Sequence, residues 1–90
     1  MEAISVKLRV YATLIEAVGR RVMDVSMPRG SRVIDLLFRT GLAGVVLEDG
    51  RVREMYKVLV NGRDIEFLDG LETVLKDGDV VDVFPPVAGG

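Results

Sequence analysis

The residues whose types and spacing best fit a chemical role lie at the end of the sequence, in the stretch "DVFPPVAGG". With glycine near 7% of residues in proteins, two glycines end a chain by chance about one time in two hundred. Gly89 and Gly90 carry no side chain, so the Gly90 carboxyl could enter a channel too narrow for other residues. Pro85-Pro86 favours an extended path, and Val87 and Ala88 add no charge that a partner would have to desolvate. This pattern predicts a tail that presents the Gly90 carboxyl to the active sites of other proteins.

A carboxylate needs activation before it can transfer an acyl group, because its charge and resonance oppose attack. Adenylation with ATP converts it to a mixed anhydride, from which sulfur or an amine can displace AMP. The chain has no group suited to performing that activation, so a partner enzyme that uses ATP is implied. No cofactor is expected to bind to the chain itself.

The rest of the sequence offers few conventional catalytic groups. It contains no Cys and no His, which removes the thiolate nucleophile, the zinc-finger pattern and the commonest general base. No Gly-Lys-Ser/Thr follows Gly41 and Gly44, so they do not form a phosphate loop, and Asp77-Gly78-Asp79 lacks the other EF-hand positions and is expected to be a turn. We therefore predict neither a self-contained active site nor a metal site.

Composition narrows the class of protein further. The 90 residues suffice for one domain, 49% of them are hydrophobic, and the net charge is −2 with acidic and basic residues interleaved. A nucleic-acid binder would normally gather its cations on one face. No apolar run approaches the roughly 20 residues that span a bilayer, and no signal-peptide pattern is present. A cytoplasmic protein that binds neither nucleic acid nor membrane is expected.

Alternating hydrophobicity predicts the strands. Ile4 to Tyr11 alternates, and so do residues 22–27, with Met23, Val25 and Met27 facing inward. Residues 56–60 and 80–84 form two more strands, the last with Val81 and Val83 inward and Val80 and Phe84 outward. Residues 42–56 give no clear pattern beyond a turn at Asp49-Gly50.

Capping residues predict two helices. Thr13 and Glu16 fit a capping box for a helix of one or two turns that Gly19 ends. Ser31 is predicted as the N-cap of the main helix over residues 32–40, which Gly41 closes.

One helix covering one face of a mixed sheet is typical of an α+β roll. The order of elements predicts a β-grasp, or ubiquitin-like, layout: a mixed sheet of about five strands packed on one main helix. The domain is expected over residues 1–84 and the extended tail over residues 85–90.

In this layout the first and last strands lie side by side and the third flanks the last. Their outward residues would form an apolar patch with cationic neighbours beside the tail, which is typical of a protein-docking surface. The alternative is that these are scattered surface residues. The predicted partner interface comprises Phe84, Tyr11, Leu59, Val80, Arg9 and Lys57.

The sequence resembles the MoaD/ThiS family of ubiquitin-like sulfur carriers over almost its whole length. The resemblance lies in "VYATLIEAVGR", "MPRGSRVIDLL", "VLVNGRDI" and above all "LKDGDVVDVFPPVAGG". Thiamine-pathway carriers share the Gly-Gly end but typically lack Phe-Pro-Pro, so Phe84-Pro85-Pro86 makes the sequence most similar to the molybdopterin synthase small-subunit branch of archaeal type.

This resemblance implies partners and a reaction. An E1-like adenylating enzyme of the MoaB/MoeB/ThiF type would activate Gly90 with ATP, and a sulfur donor would convert the adenylate to a thiocarboxylate. The tail would then enter a molybdopterin synthase large subunit of the MoaE type and give up its sulfur for the dithiolene of molybdopterin. Gly90 would be the reacting residue and Gly89 would provide access.

Two other functions remain open from the sequence. The activated Gly90 could instead form isopeptide bonds with target-protein lysines, as in a ubiquitin-like modifier, and "NGRDIEFLDGL" is similar to the archaeal type. Alternatively, the sheet could dock a partner as a non-catalytic binding module whose tail does nothing.

Overall fold

The structure is a computed structural model, which describes residues 2–86. Residues 2–86 form seven strands, three short α-helices and two 3-10 turns. The strands are β1 Ala3–Val10, β2 Val22–Pro28, β3 Leu47–Glu48, β4 Arg51–Val52, β5 Lys57–Val60, β6 Arg63–Asp64 and β7 Val80–Phe84. The helices are α1 Leu14–Val18, α2 Val33–Arg39 and α3 Ala43–Val46, with 3-10 turns at Ile65–Phe67 and Gly70–Glu72.

Five strands form one mixed sheet in the order β2-β1-β7-β5-β6. The β1 and β7 strands pair in parallel, and the other neighbours in this sheet are antiparallel. The first and last strands therefore lie side by side with β5 flanking β7, as predicted. This arrangement confirms the α+β, β-grasp layout.

The core lies between one face of the sheet and α2. Strand β1 alternates between exposed and buried residues along its length, with Ile4, Val6, Leu8 and Val10 buried. The α2 helix places Val33, Leu36 and Leu37 against this face, and all three are fully buried. Because one face of β7 is occupied by the core residues Val81 and Val83, the other residues of β7 point to the outer face of the sheet.

The start of α2 differs from the prediction that Ser31 caps it. Arg32 is the N-cap residue, and its backbone N–H donates to the Asp35 carboxylate at 2.8 Å. Ser31 is held outside the helix because its carbonyl accepts from Leu75 N at 2.8 Å, while its hydroxyl donates to the Pro28 carbonyl. The predicted Ser31 cap is therefore wrong, since backbone pairing with residues 73–75 fixes this segment.

The predicted Thr13 capping box is also wrong. Thr13 already has helical backbone angles and makes no side-chain cap hydrogen bond. The carbonyls of Tyr11 and Ala12 accept instead from Leu14 N and Ile15 N, both at 3.1 Å. The predicted stop is correct: Gly19 has φ +93°, and its N–H donates to the Ile15 carbonyl at 2.7 Å.

The segment of residues 42–56, which the sequence left unassigned, contains α3 and a small hairpin of β3 and β4. Asp49 and Gly50 both have positive φ, at 53° and 76°, which suits a two-residue hairpin turn. Asn61 and Gly62 form the turn between β5 and β6 in the same way, with φ of 50° and 85°. Within residues 2–86, no helix is long and apolar enough to cross a membrane.

Candidate functional site

The root of the tail is fixed by the central strand of the sheet. Strand β7 is hydrogen-bonded to β1 on one side and to β5 on the other, and it ends at Phe84. Pro85 is buried and Pro86 is exposed. Gly90, Gly89, Ala88 and Val87, on which the predicted chemistry depends, lie outside the described residues. The structure therefore gives the point from which the tail starts and the surface around that point.

One row of residues crosses all five strands on the outer face beside this root. The strand registers place Val22 opposite Arg9, Arg9 opposite Asp82, Asp82 opposite Leu59, and Leu59 opposite Asp64. Asp82 is at the centre of the row and of the sheet. A carboxylate at the middle of a face proposed to bind a protein needs a physical explanation.

The Asp82 carboxylate accepts three hydrogen bonds from two side chains of the neighbouring segment. Arg9 donates through Nε at 2.6 Å to Oδ1 and through Nη2 at 3.0 Å to Oδ2, which is the two-pronged geometry that a guanidinium favours. The Tyr11 hydroxyl donates to Oδ1 at 2.7 Å. These bonds compensate for desolvation of Asp82, which is only 4% exposed although it lies on the outer face.

The hydrogen bonds shift the ionisation of each member of this group. Those from Arg9 lower the pKa of Asp82, and the bond from Tyr11 adds to this, while burial opposes it. Donation to Asp82 raises the pKa of Tyr11, and burial of the phenol acts in the same direction. The Arg9 pKa is raised by the same carboxylate. At neutral pH the site therefore holds a carboxylate, a guanidinium cation and a protonated phenol.

The Tyr11 ring connects this polar group to the tail. It stacks on the Phe84 ring, with the centroids 4.3 Å apart and the planes 10° from parallel. Phe84 is the last residue of β7 and directly precedes Pro85. Hydrogen bonding at Asp82 therefore constrains the side chain of the residue directly before Pro85.

The other predicted interface residues lie on the same outer face. Lys57 is paired with Phe84 in the strand register, and its Nζ lies 3.5 Å from Asp64 Oδ2 and 3.5 Å from Glu66 Oε2. These carboxylates, Asp64 foremost, raise the pKa of Lys57. Val80 is opposite Lys7 on β1. The six residues are thus brought to one surface.

The surface is less apolar and less exposed than the sequence suggested. Tyr11, Leu59, Val80 and Phe84 are each half-buried, whereas Arg9 and Lys57 are exposed. The row through Asp82 separates Tyr11 and Phe84 from Val80, and Leu59 is itself a member of the row. Sequence reasoning missed Asp82, although the alternation of "VVDVF" places it on the same face as Phe84. Its pairing with Arg9, 73 residues earlier, becomes visible only from the strand register.

A groove of about 630 Å³ lies elsewhere, between α2, the β4–β5 connection and the 3-10 turns. It combines apolar side chains, among them Ile34, Val52 and Leu71, with charged ones that include Lys57, Asp64 and Glu66. The described residues contain no group of three or more Asp or Glu side chains arranged to hold a metal ion. None of the predicted site residues except Lys57 lines this groove.

Comparison with known proteins shows a family resemblance over nearly the whole chain. The model of the ThiS family matches residues 8–90. Small archaeal modifier protein 3 of Haloferax volcanii is 45% identical over 89 residues, which cover 93% of this chain and 97% of that protein. A candidate sulfur carrier protein of Archaeoglobus fulgidus is 33% identical over 89 residues, covering 96% of this chain and 99% of the relative.

Solved structures of similar proteins superpose on this chain over nearly its whole length. The solution structure of small archaeal modifier protein 1 from Methanosarcina acetivorans superposes with a TM-score of 0.75 at 31% identity, covering all of both chains. A candidate molybdopterin converting factor, subunit 1, from Pyrococcus furiosus superposes with a TM-score of 0.69 at 31% identity, covering 93% of this chain and 99% of that one. The likeness therefore extends across the sheet, the helices and the root of the tail.

Proposed function

The chain belongs to the ThiS family of ubiquitin-like proteins, and from that premise we propose that it is the sulfur-carrying small subunit of a molybdopterin synthase. One structural observation supports a role in presenting Gly90. The tail leaves from β7, which is held between two strands and ends at the stacked Tyr11 and Phe84 rings. A terminus on a fixed root can be placed in another protein's active site with less loss of conformational entropy than a free end.

The proposed reaction has two steps before sulfur transfer. A carboxylate oxygen of Gly90 attacks the α-phosphorus of ATP in an E1-like enzyme, and pyrophosphate leaves. A hydrosulfide equivalent from a sulfur donor then attacks the acyl carbon, and AMP leaves to give the thiocarboxylate. In both steps the partner enzymes supply the catalytic groups, and this chain supplies the carboxyl and the surface that positions it. Transfer to the pterin substrate would take place in the large subunit of the synthase, in the cytoplasm.

The outer face would provide the binding energy for these partners. Phe84 and Leu59 offer apolar contact area near the tail, and Arg9 and Lys57 favour carboxylates on the opposing surface. Because the two partners would use the same tail, they would bind this face one at a time. Ordinary competition between the two for one carrier is the expected behaviour.

The experiment that tests this function is intact mass spectrometry of the protein from its native cells, followed by sequencing of the C-terminal peptide. A fraction with one Gly90 oxygen replaced by sulfur is expected. Deletion of Gly89 and Gly90 provides the control, because the truncated chain should fold and yet carry no sulfur. Absence of the thiocarboxylate under growth that demands molybdopterin would contradict the proposal.

A second candidate function is protein modification through the same activated carboxyl. The observation that favours it is the 45% identity to small archaeal modifier protein 3 over 89 residues. The same mass spectrometry distinguishes the two: a modifier gives branched peptides in which Gly90 is joined to lysine side chains of other proteins. Both products from one culture would mean that activated Gly90 is divided between the two reactions.

A further inference from the structure

We propose that Asp82 is a positioning residue for activation of the tail: it holds Arg9 and Tyr11 in the arrangement that the adenylating enzyme binds. This proposal rests on the proposed function, and it assigns a role to a residue outside the predicted interface. Asp82 is too buried to offer a partner much contact area, since only 6% of its side chain is exposed. Asp82 must therefore affect binding indirectly, by orienting the side chains of Arg9 and Tyr11.

The first of these side chains is Arg9. Two of its nitrogens donate to Asp82, which fixes the plane of the guanidinium. Within residues 2–86, Nη1 of Arg9 donates to no acceptor, and 45% of the side chain is exposed. The fixed plane therefore presents a cationic N–H edge toward an approaching carboxylate.

The second side chain is Tyr11. Its hydroxyl is bound to Asp82 Oδ1 and its ring lies on Phe84, so both ends of the phenol are restrained. The ring stack in turn restrains Phe84, at the root of the tail. Loss of the carboxylate would release the phenol from one of its two contacts.

A purely structural role explains Asp82 less well. It is the one charged side chain among the buried residues that the structure describes. Burying a paired carboxylate adds little net stability, because desolvation offsets most of the attraction, and apolar substitutes of similar volume are often equally stable. Orientation of neighbouring groups is what such a pair can supply that an apolar side chain cannot.

The test measures ATP–pyrophosphate exchange by the E1-like enzyme as the concentration of the full-length carrier is varied. Asp82→Asn keeps the shape of the side chain and removes its charge, and Tyr11→Phe keeps the ring and removes the hydroxyl. Each is expected to raise the KM for the carrier about tenfold with kcat unchanged, the size of effect that one lost charge-assisted hydrogen bond produces. Val81→Ala is the matched control, because it is next to Asp82 in β7 but points into the core. It should lower the free energy of unfolding and leave KM as in the wild type.

A second readout needs no partner. The ring protons of Tyr11 and Phe84 shield one another in the stack, so their NMR shifts report its geometry. Asp82→Asn is expected to move these shifts while the amide shifts of the core residues Leu36 and Leu37 on α2 stay unchanged. A wild-type KM in Asp82→Asn, or an equal increase in Val81→Ala, would overturn the positioning role and leave the proposed function intact. Failure of the wild-type chain to be adenylated would instead overturn the proposed function, and this role with it.

Discussion

Arg9 and Asp82 face each other across the parallel pair of β1 and β7, with the Arg9 Nε 2.6 Å from the Asp82 Oδ1. The carboxylate is almost fully covered, whereas the guanidinium is nearly half exposed. Loss of the partner therefore costs more free energy at Asp82 than at Arg9. Asp82 needs Arg9 to compensate for its burial, while Arg9 without Asp82 can still be hydrated.

This asymmetry predicts the outcome of a double-mutant cycle. Arg9→Met should destabilise the fold because it leaves a buried carboxylate with only the Tyr11 hydroxyl as a donor. Adding Asp82→Leu should restore part of the lost stability, since it removes the unpaired charge. Urea unfolding of the wild type, both single variants and the double variant at neutral pH measures the coupling.

The neighbouring pair of Lys7 and Asp24 is the control for this cycle. It also joins facing residues of two strands, at 3.3 Å, but its side chains are 45% and 70% exposed. Exposed pairs of this kind contribute little, so Lys7→Met and Asp24→Leu should combine almost additively. Additive effects at Arg9 and Asp82 as well would show that burial of the carboxylate does not matter.

Stability should fall in acid through the same carboxylate. The pKa of Asp82 is lower in the folded chain than in the unfolded chain, because Arg9 and Tyr11 donate to its ionised form. Its contribution is therefore present above the unfolded pKa, near pH 4, and is lost as the pH falls through the lower folded pKa. Asp35, whose pKa is lowered by its bonds to Arg32, contributes in the same direction.

Unfolding free energies measured from pH 7 downward would show this loss. Below about pH 4 the unfolding free energy of Asp82→Asn should decline less steeply than that of the wild type. The decline should be less steep still in the double variant Asp82→Asn/Asp35→Asn. Asp24→Asn is the comparison variant, because it makes the same substitution at an exposed carboxylate. Parallel curves for Asp82→Asn and the wild type would contradict the assigned bonds.

The alkaline titration of tyrosine gives an independent measure of the Tyr11–Asp82 bond. The pKa of Tyr11 is raised because its hydroxyl donates to a carboxylate, so the phenol should stay protonated above the ordinary range near pH 10. Removing the charge with Asp82→Asn should shift the Tyr11 pKa back toward that range. Phenolate absorbance follows the titration, and Tyr56→Phe isolates the signal, because the sequence has only two tyrosines.

Local patterns predicted the parts of the fold that depend on local physics. Alternation along β2 and β7 correctly assigned Met27, Val81 and Val83 to the core, because the period of a strand fixes which residues share a face. Local patterns gave wrong or missing predictions where a residue bonds to a segment far away in the sequence. Ser31 has a suitable side chain for a cap, but its backbone is bonded to Leu75. Asp82 was missed for the same reason, since its partner is 73 residues away.

The hydrogen bond from Arg32 N to the Asp35 carboxylate at the start of α2 can be tested by substitution. Asp35→Ala removes the carboxylate that accepts from Arg32 N, and should cost about 1 kcal/mol of unfolding free energy, as lost helix caps usually do. It also removes the ion pair with Arg32 on the surface, which adds little. Asp35→Asn separates the two, since an amide oxygen can still accept from the backbone. Equal losses in Asp35→Ala and Asp35→Asn, measured by urea unfolding, would show that the charge and not the cap matters.

Phe84 and Phe38 provide a matched pair for testing which surface binds the activating enzyme. Phe84 is half-buried on the outer face beside the tail, whereas Phe38 lies on α2, on the opposite side of the sheet, and is 66% exposed. Phe84→Ala should weaken binding of the carrier to the E1-like enzyme by about thirtyfold or more, because truncating an aromatic anchor near the centre of an interface costs about 2 kcal/mol or more. Phe38→Ala removes the same side chain from a more exposed position and should leave the affinity unchanged. Titration calorimetry measures both affinities, and a heat-capacity scan of each variant confirms that it is folded. A larger loss of affinity in Phe38→Ala than in Phe84→Ala would place the interface on the helical side of the protein.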